Sequence, residues 1–284
     1  MEQDAEGEEK GWVVSHDGAR IYVEMAGNPI LPTLLLVHGW TMSGRFWRSQ
    51  MAGLSDRFRV VTMDLRAHGN SSKILEGHTM AAYSKDVQAV ITALNFKKVV
   101  LAGWSLGGPV VLEYWRRFGD ERVSALALVE MTPFPFSPGK WNRHALNGYD
   151  VDGMNASFRT LQAERDAFGE RFINSMFKDG IAPSDDMEWM LPEYLKTPTS
   201  VAMAAYSDYL MGDYTGVLKN ISVPGLAIYG DSKHLCFGPE TGRYVADQIP
   251  DCRLEVLNRS GHMPFYEQPE EFNGILAALA LDRL

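Results

Sequence analysis

The run Lys98 to Ala102 is short, mostly apolar and β-branched, and it leads through Gly103-Trp104-Ser105-Leu106-Gly107-Gly108 into a helix-period stretch ending near Trp115. A strand can pass straight into a helix over one serine only where small neighbours let the backbone close up, and the glycines on both sides supply that room. The turn lifts the serine hydroxyl above the sheet edge, at a helix N-terminus that favours negative charge nearby. Ser105 therefore reads as a nucleophile.

The same alternation of strand and helix runs through most of the chain. Further β-rich runs stand at Trp12 to Ser15, Ile21 to Met25, Thr33 to Val37, Arg59 to Met63, Ser124 to Val129, Gly225 to Tyr229 and Arg253 to Leu257. With Lys98 to Ala102 they predict an α/β fold, an eight-stranded, mostly parallel sheet with helices on both faces. Only His16-Asp17-Gly18-Ala19 separates the first two runs, a hairpin connection, so the sheet should begin antiparallel. From Thr132 to Asn220 the rhythm breaks. Pro133, Pro135 and Pro138 bar a regular element there. Beyond them Phe158, Leu161, Phe168, Phe172, Met176 and Phe177 form an imperfect apolar helix face. The predicted organisation is a core of residues 11–132 and 220–284, a helical cap inserted at 133–219, and a frayed acidic tail at 1–10.

Composition narrows the function classes. A chain of 284 residues with 45% apolar and 22% charged residues buries one large core and is not mainly disordered. A formal net charge of -9, with dispersed basic residues, argues against nucleic-acid partners and anionic membrane surfaces. The two cysteines, Cys236 and Cys252, make no disulfide framework, and Cys236 reads as a small packing residue. The acidic N-terminus lacks the pattern of a signal peptide, and the longest apolar runs fall far short of the ~20 residues of a membrane span. A cytoplasmic protein that does not enter a membrane is expected.

Two further turns complete a candidate site. His38-Gly39-Trp40 follows the apolar strand Thr33 to Val37, and in such a sheet it lies beside the serine turn. There the backbone N–H groups of Trp40 and Leu106 can face a developing oxyanion. His38 itself reads as a brace for its loop, although it also stands near substrate. Arg259-Ser260-Gly261-His262-Met263-Pro264 follows the last strand, and a histidine on a loop at a strand end can reach a serine at another. His262 is therefore the expected general base. His16, His78, His144 and His234 lack such a setting and are expected to be solvated.

These motifs resemble the α/β-hydrolase superfamily, particularly its small cap-bearing serine esterases and cofactor-free haloperoxidase-like members. The resemblance spans Gly11 to the C-terminus. It includes Asp64-Leu65-Arg66-Ala67-His68-Gly69-Asn70-Ser71, with Ala67 where the family has glycine, and Gly261-His262-Met263-Pro264 running on to Glu267 and Pro269. The family implies a triad in the order serine, acid, histidine, but the usual acid position after Gly230 is occupied by Lys233. Asp231 is one candidate, displaced toward the strand. Glu130, at the end of Ser124 to Val129, is the other, and some relatives, including certain dehalogenases and the zearalenone lactone hydrolases, carry their acid there. Glu130 is preferred, Asp231 is the alternative, and a serine-histidine dyad is the third possibility.

The resemblance implies hydrolysis of a small or medium apolar carboxylic ester or lactone through an acyl-enzyme, with no cofactor and no metal. Trp104, His38 and the cap aromatics Phe134, Phe136, Trp141 and Trp189 are expected to contact the substrate. Two other classes stay open: a cofactor-free dioxygenase of a quinolone-type hydroxy-heteroaromatic, and a non-catalytic ligand receptor on the same scaffold. Serine in place of aspartate at the nucleophile disfavours dehalogenase and epoxide hydrolase chemistry.

Overall fold

The computed structural model describes residues 2–3, 8–142 and 150–281. His144 lies outside them. The strands are β1 (Glu2–Gln3), β2 (Glu9–Val14), β3 (Arg20–Ala26), β4 (Thr33–Val37), β5 (Arg59–Met63), β6 (Val99–Trp104), β7 (Val123–Val129), β8 (Gly225–Gly230) and β9 (Cys252–Leu257). They form one sheet in the order β1-β2-β3-β5-β4-β6-β7-β8-β9. Pairing is antiparallel from β1 to β5 and parallel from β5 through β4 to β9.

The residue pattern explains this division. β2 and β3 alternate buried and accessible positions, as a sheet with one wet face requires, and the hairpin between them closes with the Ser15 amide on the Ala19 carbonyl at 2.8 Å. β4, β5, β6 and β8 are buried at every position, because helices cover both of their faces. The eight expected strands are all present. The addition is β1, whose two residues pair with Lys10 and Glu9. The predicted frayed tail is therefore too long: Glu9 and Lys10 belong to β2, where backbone pairing with Met25 and Glu24 outweighs their polar character.

Helices α1 (Arg48–Leu54), α2 (Met80–Ala93) and α3 (Gly107–Phe118) follow β4, β5 and β6. Between β7 and β8 come α4 (Val151–Ala163), α5 (Arg165–Met176), α6 (Ser184–Leu195), α7 (Thr199–Met211) and the short α8 (Thr215–Leu218). The chain ends with α9 (Gly238–Gln248), α10 (Pro264–Glu267) and α11 (Pro269–Leu281). One hydrogen bond joins the two ends of the insertion, and two others tie α7 to the core. Tyr214 N–H donates to Pro133 O at 2.8 Å, Trp40 Nε1 to Ala202 O at 2.8 Å, and Met80 N–H to Asp208 Oδ2 at 2.7 Å.

The strand order places the site. β4 lies between β5 and β6, so the chain leaves it in opposite directions on its two sides, and a crevice opens outside the carboxyl ends of β4 and β6. Val37 is level with Gly103, and Trp104 with Val129. The turns after β4, β6 and β7 thus emerge side by side.

Candidate active site

Ser105 has φ 54°, a left-handed backbone that a non-glycine residue adopts only under constraint. Its N–H donates to Val129 O and its carbonyl accepts from Gly108, both at 2.9 Å. The flanking glycines are sterically required. A Cβ on Gly103 would stand 2.2 Å from Gly107 O, and one on Gly107 would stand 2.6 Å from Val37 O. Gly39 sits against the same turn, since a Cβ there would lie 3.1 Å from the Cβ of Ser105. The amides of Trp40 and Leu106, one on each turn, have no acceptor among the described residues.

Glu130 follows β7 with φ 42° and is fully buried. Its Oε2 lies 3.0 Å from His262 Nδ1 and accepts from Phe237 N–H at 2.8 Å. Oε1 accepts from Gly230 N–H at 3.0 Å, Gly238 N–H at 3.3 Å and the Cys236 thiol at 3.2 Å. Every partner of this carboxyl is a donor, so Nδ1 of His262 carries its proton and Nε2 is left as the basic nitrogen. The loop after β8 therefore folds around the carboxylate instead of supplying one. Cys236 takes part, contrary to its reading as simple packing: burial and the adjacent Glu130 charge push its thiol far up, and as a neutral S–H it donates. Asp231 and Lys233 are exposed, and the main chain of Asp231 is engaged with Ser260 and the Lys178 ammonium.

His262 is buried, with its amide held by Met176 O at 2.8 Å and its ring between Trp104 and Phe237, at 5.6 and 5.4 Å. Ser105, Leu106, His262 and Trp40 open onto one cavity of about 280 Å³. Its other walls are Phe168 and Phe172 of α5, Ser157, Ser175, Tyr206 and Tyr209 of α7, Leu235 and Phe237.

The family model of the alpha/beta hydrolase fold matches residues 32–269. The chain belongs to the α/β-hydrolase family. A bifunctional esterase/perhydrolase of Acinetobacter calcoaceticus is 36% identical over 250 residues, covering 86% of this chain and 90% of that protein. A non-heme haloperoxidase of Rhodococcus erythropolis is 28% identical, covering 88% and 92%. Among solved structures, an esterase from Exiguobacterium antarcticum shares the fold with a TM-score of 0.86 at 23% identity, covering 96% of this chain and 99% of that one.

Within this α/β hydrolase the residues expected to touch substrate stand elsewhere. His38 faces inward: Leu65 N–H donates to its Nε2 at 2.9 Å, so Nδ1 carries the proton and donates to Gly39 O at 2.7 Å. Burial lowers its pKa to about 4, and it stays neutral as a loop brace. Trp104 lies beneath His262 and packs on Phe265 at 4.9 Å. Trp189 packs on Phe46 under Arg48 at the joint between α6 and the core. Trp141 stacks on Tyr244 of α9 at 4.0 Å and 4°, facing a separate groove. Phe134 and Phe136 are held in turns by the Asn142 amide, which donates to the carbonyls of Phe134, Pro135 and Ser137. Neither ring is among the residues that line the cavity. His78 is buried with its Nε2 3.1 Å from Ile74 O, not solvated, whereas His16 and His234 are exposed.

The residues that do line the cavity carried only a weak sequence signal. Phe168 and Phe172 stand at helical i, i+4 spacing, and Tyr206 and Tyr209 at i, i+3, which marks a shared helix face but not what that face meets.

Proposed function

We propose that this chain is a serine esterase that cleaves small, largely apolar carboxylic esters or lactones through an acyl-enzyme. The observation that carries this reading is the buried contact between Glu130 Oε2 and His262 Nδ1, on a histidine that shares its cavity with Ser105. In this mechanism Ser105 Oγ attacks the carbonyl carbon while Nε2 of His262 takes its proton. The tetrahedral oxyanion is received by the amides of Trp40 and Leu106. His262 then returns the proton to the leaving oxygen, and water repeats the sequence on the acyl-serine. Glu130 keeps the imidazole in the tautomer with Nδ1 protonated and stabilises the imidazolium.

The cavity supports a small substrate, since about 280 Å³ is just below the roughly 300–1,000 Å³ usual for small-molecule sites. The esterase/perhydrolase name of the 36% identical relative agrees with ester chemistry. The test is fluorophosphonate labelling together with turnover of p-nitrophenyl esters. Wild type should label and turn over, while Ser105→Ala should lose labelling and about 10⁴-fold or more in kcat with its circular dichroism unchanged. Ordinary esterase activity in Ser105→Ala would remove the nucleophile from this scheme.

A further inference from the structure

The end of α5 and the two residues after it carry more than a cavity wall. Ser175 O accepts from the N–H of Leu235, on the loop that closes around Glu130, at 3.0 Å, and Met176 O accepts from His262 N–H at 2.8 Å. Lys178 O accepts from Ser232 Oγ of the same loop as Leu235 at 2.8 Å. The loop that encloses the acid and the loop that bears the base are thus mounted on one short stretch of the insertion. Glu267, the last residue of α10, fastens this mount. Its Oε2 accepts from the N–H of Gly261, the residue before His262, at 2.7 Å, and its Oε1 accepts from Lys178 N–H at 2.8 Å. One half-buried carboxylate therefore spans the base's loop and the chain leaving α5.

Gly261 lets the two chains approach, since a Cβ there would stand 2.6 Å from Met176 O and 3.0 Å from Lys178 N. Both of these amides donate to Glu267, so holding them takes two acceptor oxygens on one side chain. Glutamine has the same size but a single acceptor oxygen, and its NH₂ would meet the second donor. The reaction depends on this placement, because Nε2 of His262 has to serve Ser105 while Nδ1 stays on Glu130, and a displacement of about 1 Å can cost about 10²-fold in rate. We propose that Glu267 is a positioning residue for the hydrolysis: by tying Gly261 to Lys178 it fixes the backbone of His262 against α5. The helix that walls the substrate and the base that acts on it then keep one relative position. This rests on the esterase reading above and adds that the inserted helices align the triad as well as shape the cavity. Glu267 does not line that cavity, so its loss should reach the chemistry and not the binding of substrate.

The test compares wild type with Glu267→Gln and Glu267→Ala on p-nitrophenyl acetate and p-nitrophenyl butyrate. Fluorophosphonate labelling carried to completion counts the competent sites, so kcat is expressed per labelled serine and a partly unfolded sample does not imitate a slow one. The expected kcat falls about tenfold in Glu267→Gln and about 10²-fold in Glu267→Ala, and the rate constant of labelling falls with it. Because His262 serves acylation and deacylation alike, KM should stay within about threefold of wild type. A kcat per site within about twofold of wild type in the variants that fold overturns the proposal. So does a KM raised beyond that threefold range, which would place Glu267 in substrate binding through the α5 wall. Where Glu267→Ala fails to fold by circular dichroism, Glu267→Gln decides, and failure of both overturns the proposal by making the carboxylate a requirement of the fold. Wild type that neither labels nor turns over either ester would instead sink the esterase reading, and this assignment with it.

Discussion

The indole Nε1 of Trp104 donates a 2.7 Å hydrogen bond to the main-chain carbonyl of His262. The residue preceding Ser105 therefore holds the loop that carries His262, and one side chain sets the spacing of two turns that are distant in sequence. Trp104→Phe keeps an aromatic ring under the imidazole but leaves a buried carbonyl unpaired. A loss of about 1–3 kcal/mol in stability is expected, together with a fall in kcat while Ser105 still labels. Denaturant titration and steady-state kinetics check this. Unchanged values in both would mean that the loop's other hydrogen bonds, His262 N–H to Met176 O and Gly261 N–H to Glu267 Oε2 among them, hold it without the indole.

The acid is decided by comparing two conservative variants. Glu130→Gln replaces one acceptor oxygen with an amide donor in a nest where every neighbour donates, so it should reduce ester turnover by about 10⁴-fold. Asp231→Asn, at an exposed side chain whose main chain makes the contacts, should stay within about twofold of wild type. The reverse ranking in steady-state hydrolysis would transfer the role to Asp231, and two mild phenotypes would leave a dyad.

Substrate size should respond to α5 and not to the segment before it. Phe172 packs edge-on against Trp40 at 5.3 Å in the cavity wall, while Trp141 is stacked on Tyr244 outside it. Phe172→Ala should shift the preferred acyl chain toward longer esters by about tenfold in relative kcat/KM. Trp141→Ala should leave the preference where it is. A p-nitrophenyl ester series from acetate to octanoate measures both, and a shift in Trp141→Ala alone would place the substrate in the other groove.

His38 makes the fold sensitive to acid. Its folded pKa is about 4 because burial penalises the imidazolium, against about 6.5 in the unfolded chain. Between these values the unfolded chain binds the extra proton, so stability is fully present above about pH 6.5 and is lost as pH falls toward 4, by about 3 kcal/mol from this group. The buried His68, also pushed down by burial and by His38 beside it, acts in the same direction. Equilibrium unfolding from pH 7 to 4 measures the combined fall, and a histidine NMR titration assigns it. An His38 resonance titrating near 6.5 would contradict the mechanism.

Much of this was legible in the residues themselves. A strand meeting a helix over Gly103-Trp104-Ser105-Leu106-Gly107 is a local steric matter, and so are the all-apolar runs that become the doubly covered strands β4 and β6. The position of His262 after the last strand followed from the same strand-and-loop rhythm. The tail boundary was misplaced because β1 and β2 are held by backbone pairing, to which side-chain polarity is a poor guide.

The sequence by itself determined where the chain turns sharply and which residues are available for chemistry there, because backbone sterics and hydrophobic periodicity act over a few neighbours. Which carboxylate meets His262 was decided only by the tertiary structure: β7 lies beside β8, and the loop through Cys236, Phe237 and Gly238 closes around Glu130 while Asp231 faces outward. The same holds for the aromatic walls. Phe172 and Tyr209 reach the cavity, and Trp141 and Trp189 do not, because the direction of an inserted helix is set by what it packs against, and no local pattern encodes that neighbour.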